Sequence, residues 1–399
     1  MIRDQFEELF GENIGELSLG EPHEFRAPGR IEIGGNHTDH QHGQVLAAAI
    51  DRDIVAVAAA AEDTAVRIYS EGFGWIETDL SVGESGSGEA DAFAPGTAEA
   101  LVYGVAAEMQ KRGYKVGGFR ACVVSNVPEG SGLSSSAAFE ILIGAILNGL
   151  YNEGTVPPEE MAHMAQAAEN DYYGKPCGLM DQMTIAMGGL CHIDFSDPAA
   201  PVVEKLNVDF DSLGYRICIT DTHGSHAEFT NDYAAVQTDL AKAASVFGKK
   251  VLEGVTPDEV LTHASAIRSA GGDRAFLRAM HVASENARVL AEAETLKRGD
   301  MPAFLELVRQ SGDSSYKLLQ NVHTDRMPER QELAVALAIS EAVLGGGACR
   351  VHGGGFAGTI LAFVPEAETD RYCAAMDETF GEGSCFVVKI SPEGGMEAD

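Results

Sequence analysis

The chain has 399 residues, 45% of them hydrophobic, which exceeds one small core and predicts two domains. Its 61 acidic against 28 basic residues give a formal net charge of −33, a field that repels nucleic acid and anionic membrane, so neither is an expected partner. The longest apolar stretches, such as Val45 to Ile50 and Ile54 to Ala61, are too short to span a bilayer, and the acidic start is unlike a signal peptide, so cytoplasmic residence is expected.

Residues 1–20 read as an amphipathic helix with Phe6, Leu9 and Phe10 on one face and a stop near Gly11. From Glu24 the pattern predicts a short strand, a turn at Pro28-Gly29, a second short strand and a polar loop, Asn36 to Gly43. That loop carries Asp39 and three histidines, His37, His40 and His42. Its spacing lacks the i, i+4 pairing of a helical zinc site, so a hydrogen-bonding loop for a small molecule is the preferred reading over a metal site or a solvated loop. Val45 to Ala61 and Val66 to Tyr69 read as antiparallel strands, Ser81 to Gly96 as a Gly/Ser/acid-rich surface loop, and Thr97 to Arg112 as a helix capped by Gly113.

The strand Phe119 to Val124 leads into Asn126 to Glu140, NVPEGSGLSSSAAFE, and then a helix from Ser134 to about Leu150. A Gly/Ser loop entering a helix N-terminus gathers unpaired N–H groups and the positive end of the helix dipole, which suits phosphate; an ordinary capped turn is the alternative. Neither a Walker A loop nor G-x-G-x-x-G is present, so any nucleotide is held by another design. A helix follows from Pro158 to Tyr173, then a turn, Gly174 to Leu179, and a helix with Asp181 in its first turn. Leu190 to Phe195 is a strand, and the Asp197–Pro201 stretch is the best linker, which divides the chain into domains 1–200 and 201–399.

The second half begins with a strand (Tyr215 to Thr220), a polar loop (Asp221 to His226) and a long helix (about Phe229 to Phe247) bearing Tyr233. Helical patterns continue to Leu344, broken at Gly271-Gly272 and restarted at Asp300-Met301-Pro302. Strands at Ala348 to His352 and Thr359 to Val364 flank the glycine run Gly353 to Gly358, whose density places backbone near a site. A helix (Ala367 to Phe380) and a strand (Cys385 to Ile390) finish the chain. Irregular alternation of helices and strands predicts an α+β fold. Seven scattered cysteines without C-x-x-C read as free thiols, with neither a disulfide framework nor a structural zinc site. Trp75 reads as a sheet-packing residue, and His192, His263 and His281 as surface or internally satisfied.

Three stretches in this order, PGRIEIGGNHTDHQHG, VPEGSGLSSSAA and VHGGGFAGTILAF, resemble the three signatures of the GHMP small-molecule kinases. The first, together with KPCGLMDQM around Asp181 and ITDTHGSHAEFTNDY ending at Tyr233, is similar to galactokinases. The resemblance spans essentially the whole chain. It implies a two-domain α+β fold with the site in the cleft, and transfer from ATP, with Mg2+, to the anomeric hydroxyl of a galactose-like sugar. The sugar and ATP are then the expected partners, and a monomer or weak dimer the expected assembly.

The resemblance assigns Asp181 to the sugar C1 hydroxyl and Arg30 beside it, orienting Asp181 and depressing its basicity. Ser135 and Glu169 match magnesium ligands. Ser134, Ser136 and the amides of Gly130, Ser131, Gly132, Leu133 and Ser134 would line the phosphates. Asn36, His37, Asp39, Gly178 and Tyr233 match sugar-contacting positions. Galactokinases usually carry glutamate at Asn36, and Asp39-His40-Gln41 resembles the D-H-Q of galacturonate kinases, so Asn36 N–H donors facing a C6 carboxylate are a second expectation. A non-catalytic sensor on the same fold is a third, but the serine-alanine part of the loop, Ser135 to Ala138, is intact.

Overall fold

A computed structural model of the chain describes residues 2–11, 19–81, 93–128, 130–224 and 229–398. Its strands are β1 (His23–Gly34), β2 (Gln44–Ala60), β3 (Ala65–Ser70), β4 (Gly74–Asp79), β5 (Phe119–Ser125), β6 (Leu190–Asp194), β7 (Val202–Leu206), β8 (Tyr215–Asp221), β9 (Ala348–Val351), β10 (Thr359–Pro365), β11 (Cys385–Val388) and β12 (Met396–Glu397). The helices are α1 (Ile2–Phe10), α2 (Ala98–Lys111), α3 (Ser135–Asn152), α4 (Pro158–Ala167), α5 (Met180–Met187), α6 (Thr230–Ser245), α7 (Pro257–Thr262), α8 (Ala264–Lys297), α9 (Met301–Ser314), α10 (Glu332–Val343) and α11 (Thr369–Phe380).

Two sheets organise these elements, as the α+β reading expects. The larger has eight strands with the path β12-β1-β2-β5-β3-β4, and β6 and β7 continue it from the first half of β2. The smaller is antiparallel, β11-β8-β10-β9. Long β2 joins the layers of the larger sheet: Gln44–Ala48 pair with β6, and Ile54–Ala60 pair with β5. Both β7 and β12 follow residue 200 yet belong to this first sheet.

The predicted turn at Pro28-Gly29 is absent. One continuous strand runs from His23 to Gly34, with its pairing to β2 shifted between Pro28 and Arg30. Proline lacks an N–H to donate and is tolerated at such an irregularity. Here the Arg30 N–H leaves the ladder and donates to the Leu133 carbonyl of the Gly/Ser loop at 3.1 Å. A Cβ on Gly29 would sit 3.1 Å from that same oxygen, so glycine allows the loop to lie against the strand.

Residues Ala27 to Gly34 are buried throughout, because β1 is covered by α3 and α5 and by α8 and α9. A charged residue in such a strand persists only with a partner. Elsewhere, the expected helix to Tyr173 turns π-helical at Ala168–Tyr173, a local widening of the kind found at functional sites. The α8 pattern breaks at Gly272, with φ 85°, as the Gly-Gly pair predicts. Asp300 caps α9 through the Ala303 N–H. Trp75 packs edge-on to Phe10 and Tyr69 but remains half exposed. Parts of the predicted loops at 81–96 and 221–226 lie outside the described residues.

Candidate active site

Arg30 and Asp181, 151 positions apart, meet side by side. The guanidinium donates from Nε to Asp181 Oδ1 at 2.7 Å and from Nη2 to Oδ2 at 2.8 Å, a bidentate fork. Its third nitrogen donates to the Gly132 carbonyl, and the Ser134 hydroxyl donates to Asp181 Oδ2. Burial pushes the Asp181 carboxyl upward, but the charge and hydrogen bonds of Arg30, with Ser134 and Lys175, outweigh it and hold the group below the usual carboxylate range.

The loop entering α3 is shaped by positive φ at Gly130 (70°), Gly132 (70°) and Ser134 (60°). A serine in the left-handed region is uncommon and marks a constrained turn. Because Ser134 bonds to Asp181, it does not cap α3, and the first N–H groups of that helix keep their orientation toward the loop without a side-chain cap. Ser131 turns its hydroxyl inward to the Pro128 carbonyl at 2.6 Å, and Leu133 is buried in the core, so both can offer only backbone to a ligand. Glu129 of this loop lies outside the described residues.

Beside the loop, Glu169 is buried and accepts from Lys175 Nζ at 2.7 Å and Gln182 Nε2 at 2.8 Å, with Ser136 Oγ at 3.5 Å. Gln182 also donates to Glu140 at 3.0 Å. Burial and the neighbouring Glu169 charge raise the Glu140 carboxyl well above its ordinary range. Glu140, Lys175 and Gln182 lie within the stretches singled out in the sequence, which assigns them no role of their own.

The polar loop after β1 is folded against the glycine run. His37 Nε2 bonds to the Gly354 carbonyl at 2.9 Å, and its Nδ1 meets His40 Nε2 at 3.0 Å, while Gln41 Nε2 donates to His40 Nδ1 at 3.0 Å. This chain is satisfied when both imidazoles are neutral. Burial lowers His37 to about 3 and His40 to about 4, in agreement with that state. Among the described residues these histidines and Asp39 do not converge as a metal-ligand group.

Asp39 is held differently. Burial raises its carboxyl, against the backbone N–H of His40, which lowers it. A Cβ on Gly178 would fall on Asp39 Oδ2, so glycine there leaves room for the carboxylate. Tyr233 donates to the Gly355 carbonyl at 2.6 Å, and a Cβ on Gly354 would strike its ring. The glycine run thus receives the loop after β1 and Tyr233 together.

Asn36 departs from expectation. It is fully buried, and its amide donates to Glu32 Oε1 at 2.9 Å and the Gly353 carbonyl at 2.6 Å. Its oxygen accepts from Asn321 Nδ2 at 2.8 Å and Ser315 Oγ at 3.3 Å. The donors assigned to a C6 carboxylate are therefore engaged within the protein. Both His37 ring nitrogens are engaged as well. Glu32 is raised to about 7 by burial, against the lowering charge of Arg350, whose Nη2 lies 2.6 Å away. His281, expected to be satisfied, bonds Ser314 Oγ at 2.8 Å and the Asn36 carbonyl at 2.9 Å.

A second tie was invisible in sequence. The Glu32 N–H donates to His352 Nε2 at 3.1 Å, His352 Nδ1 meets Thr359 Oγ1 at 2.9 Å, and Thr359 Oγ1 donates to the Ser131 carbonyl at 2.9 Å. β1, the end of β9 and the start of β10 therefore hold the Gly/Ser loop in place through neutral hydrogen bonds.

A part-buried Arg–Asp fork beside an uncapped helix N-terminus, with a carboxylate near its serines, suits a phosphotransferase, and similarity to known proteins gives its class, the GHMP small-molecule kinases. Residues 100–189 match the GHMP kinases N terminal domain, and residues 4–60 match the galactokinase galactose-binding signature. A galactokinase of Glaesserella parasuis is 31% identical over 385 residues, covering 95% of this chain and 93% of the relative. One of Actinobacillus pleuropneumoniae is 33% identical over 350 residues, covering 86% of each. The crystal structure of Lactococcus lactis galactokinase complexed with galactose superposes with a TM-score of 0.82 at 26% identity, covering 99% of both chains. A mevalonate kinase structure at 16% identity and TM-score 0.61 shares the fold. The chain belongs to the galactokinase family.

Proposed function

We propose that the chain transfers the γ-phosphoryl group of ATP to the anomeric hydroxyl of galactose, giving galactose 1-phosphate. The Arg30–Asp181 fork, fastened to Gly132 and Ser134 of the phosphate loop, carries this reading. Asp181 accepts the hydrogen bond of the C1 hydroxyl and orients its oxygen toward the phosphoryl group. Because Arg30 keeps Asp181 a weak base, the proton moves late, after bonding to phosphorus has begun. Arg30 also offsets charge on the phosphoryl oxygens.

Residues Gly130 to Ser136 cradle the phosphates with backbone N–H groups and the Ser136 hydroxyl, while the Ser134 hydroxyl donates instead to Asp181. The donor set fits Mg2+: Ser135 Oγ and a Glu169 oxygen are hard ligands, and Ser136, next to Ser135, lies within 3.5 Å of Glu169. When bound, the cation neutralises phosphate charge. Asp39, Tyr233 and the backbone at Gly178 hold the sugar hydroxyls, while His37 and Asn36 shape that wall through the glycine run. The site draws Arg30, Asp39 and Asp181 from the first proposed half, residues 1–200, and Tyr233 and the glycine run from the second, residues 201–399, with β7 and β12 pairing in the first sheet. Among the described residues no helix is long and apolar enough to cross a membrane; cytoplasmic residence belongs to the same proposal.

ADP release measured with Mg2+ across galactose, galacturonate, N-acetylgalactosamine, glucose and arabinose tests this reading, with the product identified by phosphorus NMR. Galactose 1-phosphate as the preferred product supports it. A preference for galacturonate, or sugar binding without ADP release, refutes it.

A further inference from the structure

We propose that Cys373 and Cys385 form an oxidation site, with Cys218 alongside, at which a low-molecular-weight disulfide closes an intramolecular Cys373–Cys385 bond. The sulfur atoms of these three residues lie within 4.8 Å of one another, and Cys385 Sγ is 3.3 Å from Cys373 Sγ. They come from three elements, β8, α11 and β11, and none belongs to the phosphotransfer site. In the β8–β11 ladder Cys218 is opposite Val387 and Cys385 is opposite Thr220, so the two cysteines share one face of the sheet. α11 packs on these strands and contributes the third sulfur.

Accessibility separates their roles. Cys218 and Cys385 are buried, whereas Cys373 is half-buried and offers the sulfur that a reagent reaches first. Hydrogen bonds from the Cys218 and Cys385 thiols favour its thiolate and bring Cys373 down to about 4, the reactive form. The surrounding cluster is apolar, including Val351, Ile360, Ala362 and Met376. Three thiolates on a divalent cation would leave net negative charge in that setting, which is costly, whereas a disulfide is neutral.

The chemistry balances without a metal. The Cys373 thiolate attacks one sulfur of the small disulfide, whose other half leaves as a thiolate. Cys385 then attacks Cys373 Sγ and expels the second small thiol. Two electrons pass from the protein to the small disulfide; the Cys385 proton ends on one released thiol, and the other takes from water the proton that Cys373 had given up.

The test equilibrates the full-length native chain in buffers of graded oxidised-to-reduced glutathione, quenches with acid and alkylates the remaining thiols. Two of the seven cysteines should lose reactivity together, with an intact-mass loss of about 2 Da before alkylation, and peptide mapping should join Cys373 to Cys385. Cys218→Ser should still form the bond, and Cys373→Ser should retain all its other thiols. Seven reactive thiols at every ratio would overturn the proposal. So would glutathione retained on Cys373, a bridge between other cysteines, or stoichiometric copper or zinc in the purified chain that is lost in Cys373→Ser. The parent-chain measurement stands even where a variant fails to fold.

Discussion

Asn36→Glu restores the residue that galactokinases usually carry, and the structure predicts that it destabilises this chain. The Asn36 amide faces two acceptors, Glu32 Oε1 at 2.9 Å and the Gly353 carbonyl at 2.6 Å. A carboxylate there replaces both donors with acceptors. Two charges at that separation repel by about 6 kcal/mol at an effective dielectric of about 20. Part of this is relieved, because burial already raises Glu32 to about 7 and it takes up a proton readily. Protonating it near pH 8 costs about 1.4 kcal/mol, and the carbonyl losing its donor costs about 1–3 kcal/mol. The expected loss is therefore about 3 kcal/mol, read from urea midpoints at pH 8. A carboxyl that gains a proton can donate again, so the deficit should shrink toward pH 5.5. Equal stability of variant and parent at pH 8, or a deficit independent of pH, would refute the buried network.

Gly178→Ala places a methyl group on the Asp39 carboxylate, and kcat/KM for the sugar should fall roughly tenfold to a hundredfold, with the KM for ATP unchanged in steady-state assays. Thr359→Val removes the donor to the Ser131 carbonyl. It should cost about 1–3 kcal/mol in urea unfolding and raise the KM for ATP more than that for the sugar. His40, lowered to about 4 by burial, refuses a proton that the unfolded chain accepts near 6.5. Its contribution is complete above pH 6.5 and is lost as pH falls toward 4, by at most about 1.4 kcal/mol per pH unit. His40→Gln should therefore lose less stability than the parent between pH 6.5 and 4.5, and parallel unfolding curves would contradict this.

The sequence displayed the Gly/Ser loop, the polar loop Asn36 to Gly43 and the glycine run because each demands local backbone geometry, and glycines and serines at fixed spacing record it. Helix limits were equally legible where a cap marks them, as at Thr97 and Asp300, whose side chains accept the Ala100 and Ala303 N–H groups. Pro28-Gly29 misled because the same pair that makes a turn also suits a strand irregularity when another backbone accepts the freed N–H. Asn36 misled for a different reason. Its position faces a sugar in the resemblance, but its four partners, Glu32, Gly353, Ser315 and Asn321, lie mostly about 300 residues away and leave no spacing to read. His352 and Thr359 flank the glycine run in plain view, yet their link to Ser131 exists only in three dimensions.

Asp181→Asn tests the phosphotransfer site most directly. The substitution keeps the size of the group and a carbonyl oxygen for Arg30 while removing the charge and the proton acceptor. Single-turnover transfer to galactose, followed with ATP binding by calorimetry, separates chemistry from nucleotide affinity. Transfer should fall by roughly 10²–10⁴-fold while ATP affinity changes little. Transfer within about tenfold of the parent, with the fold intact, would place the proton acceptor elsewhere and contradict the account.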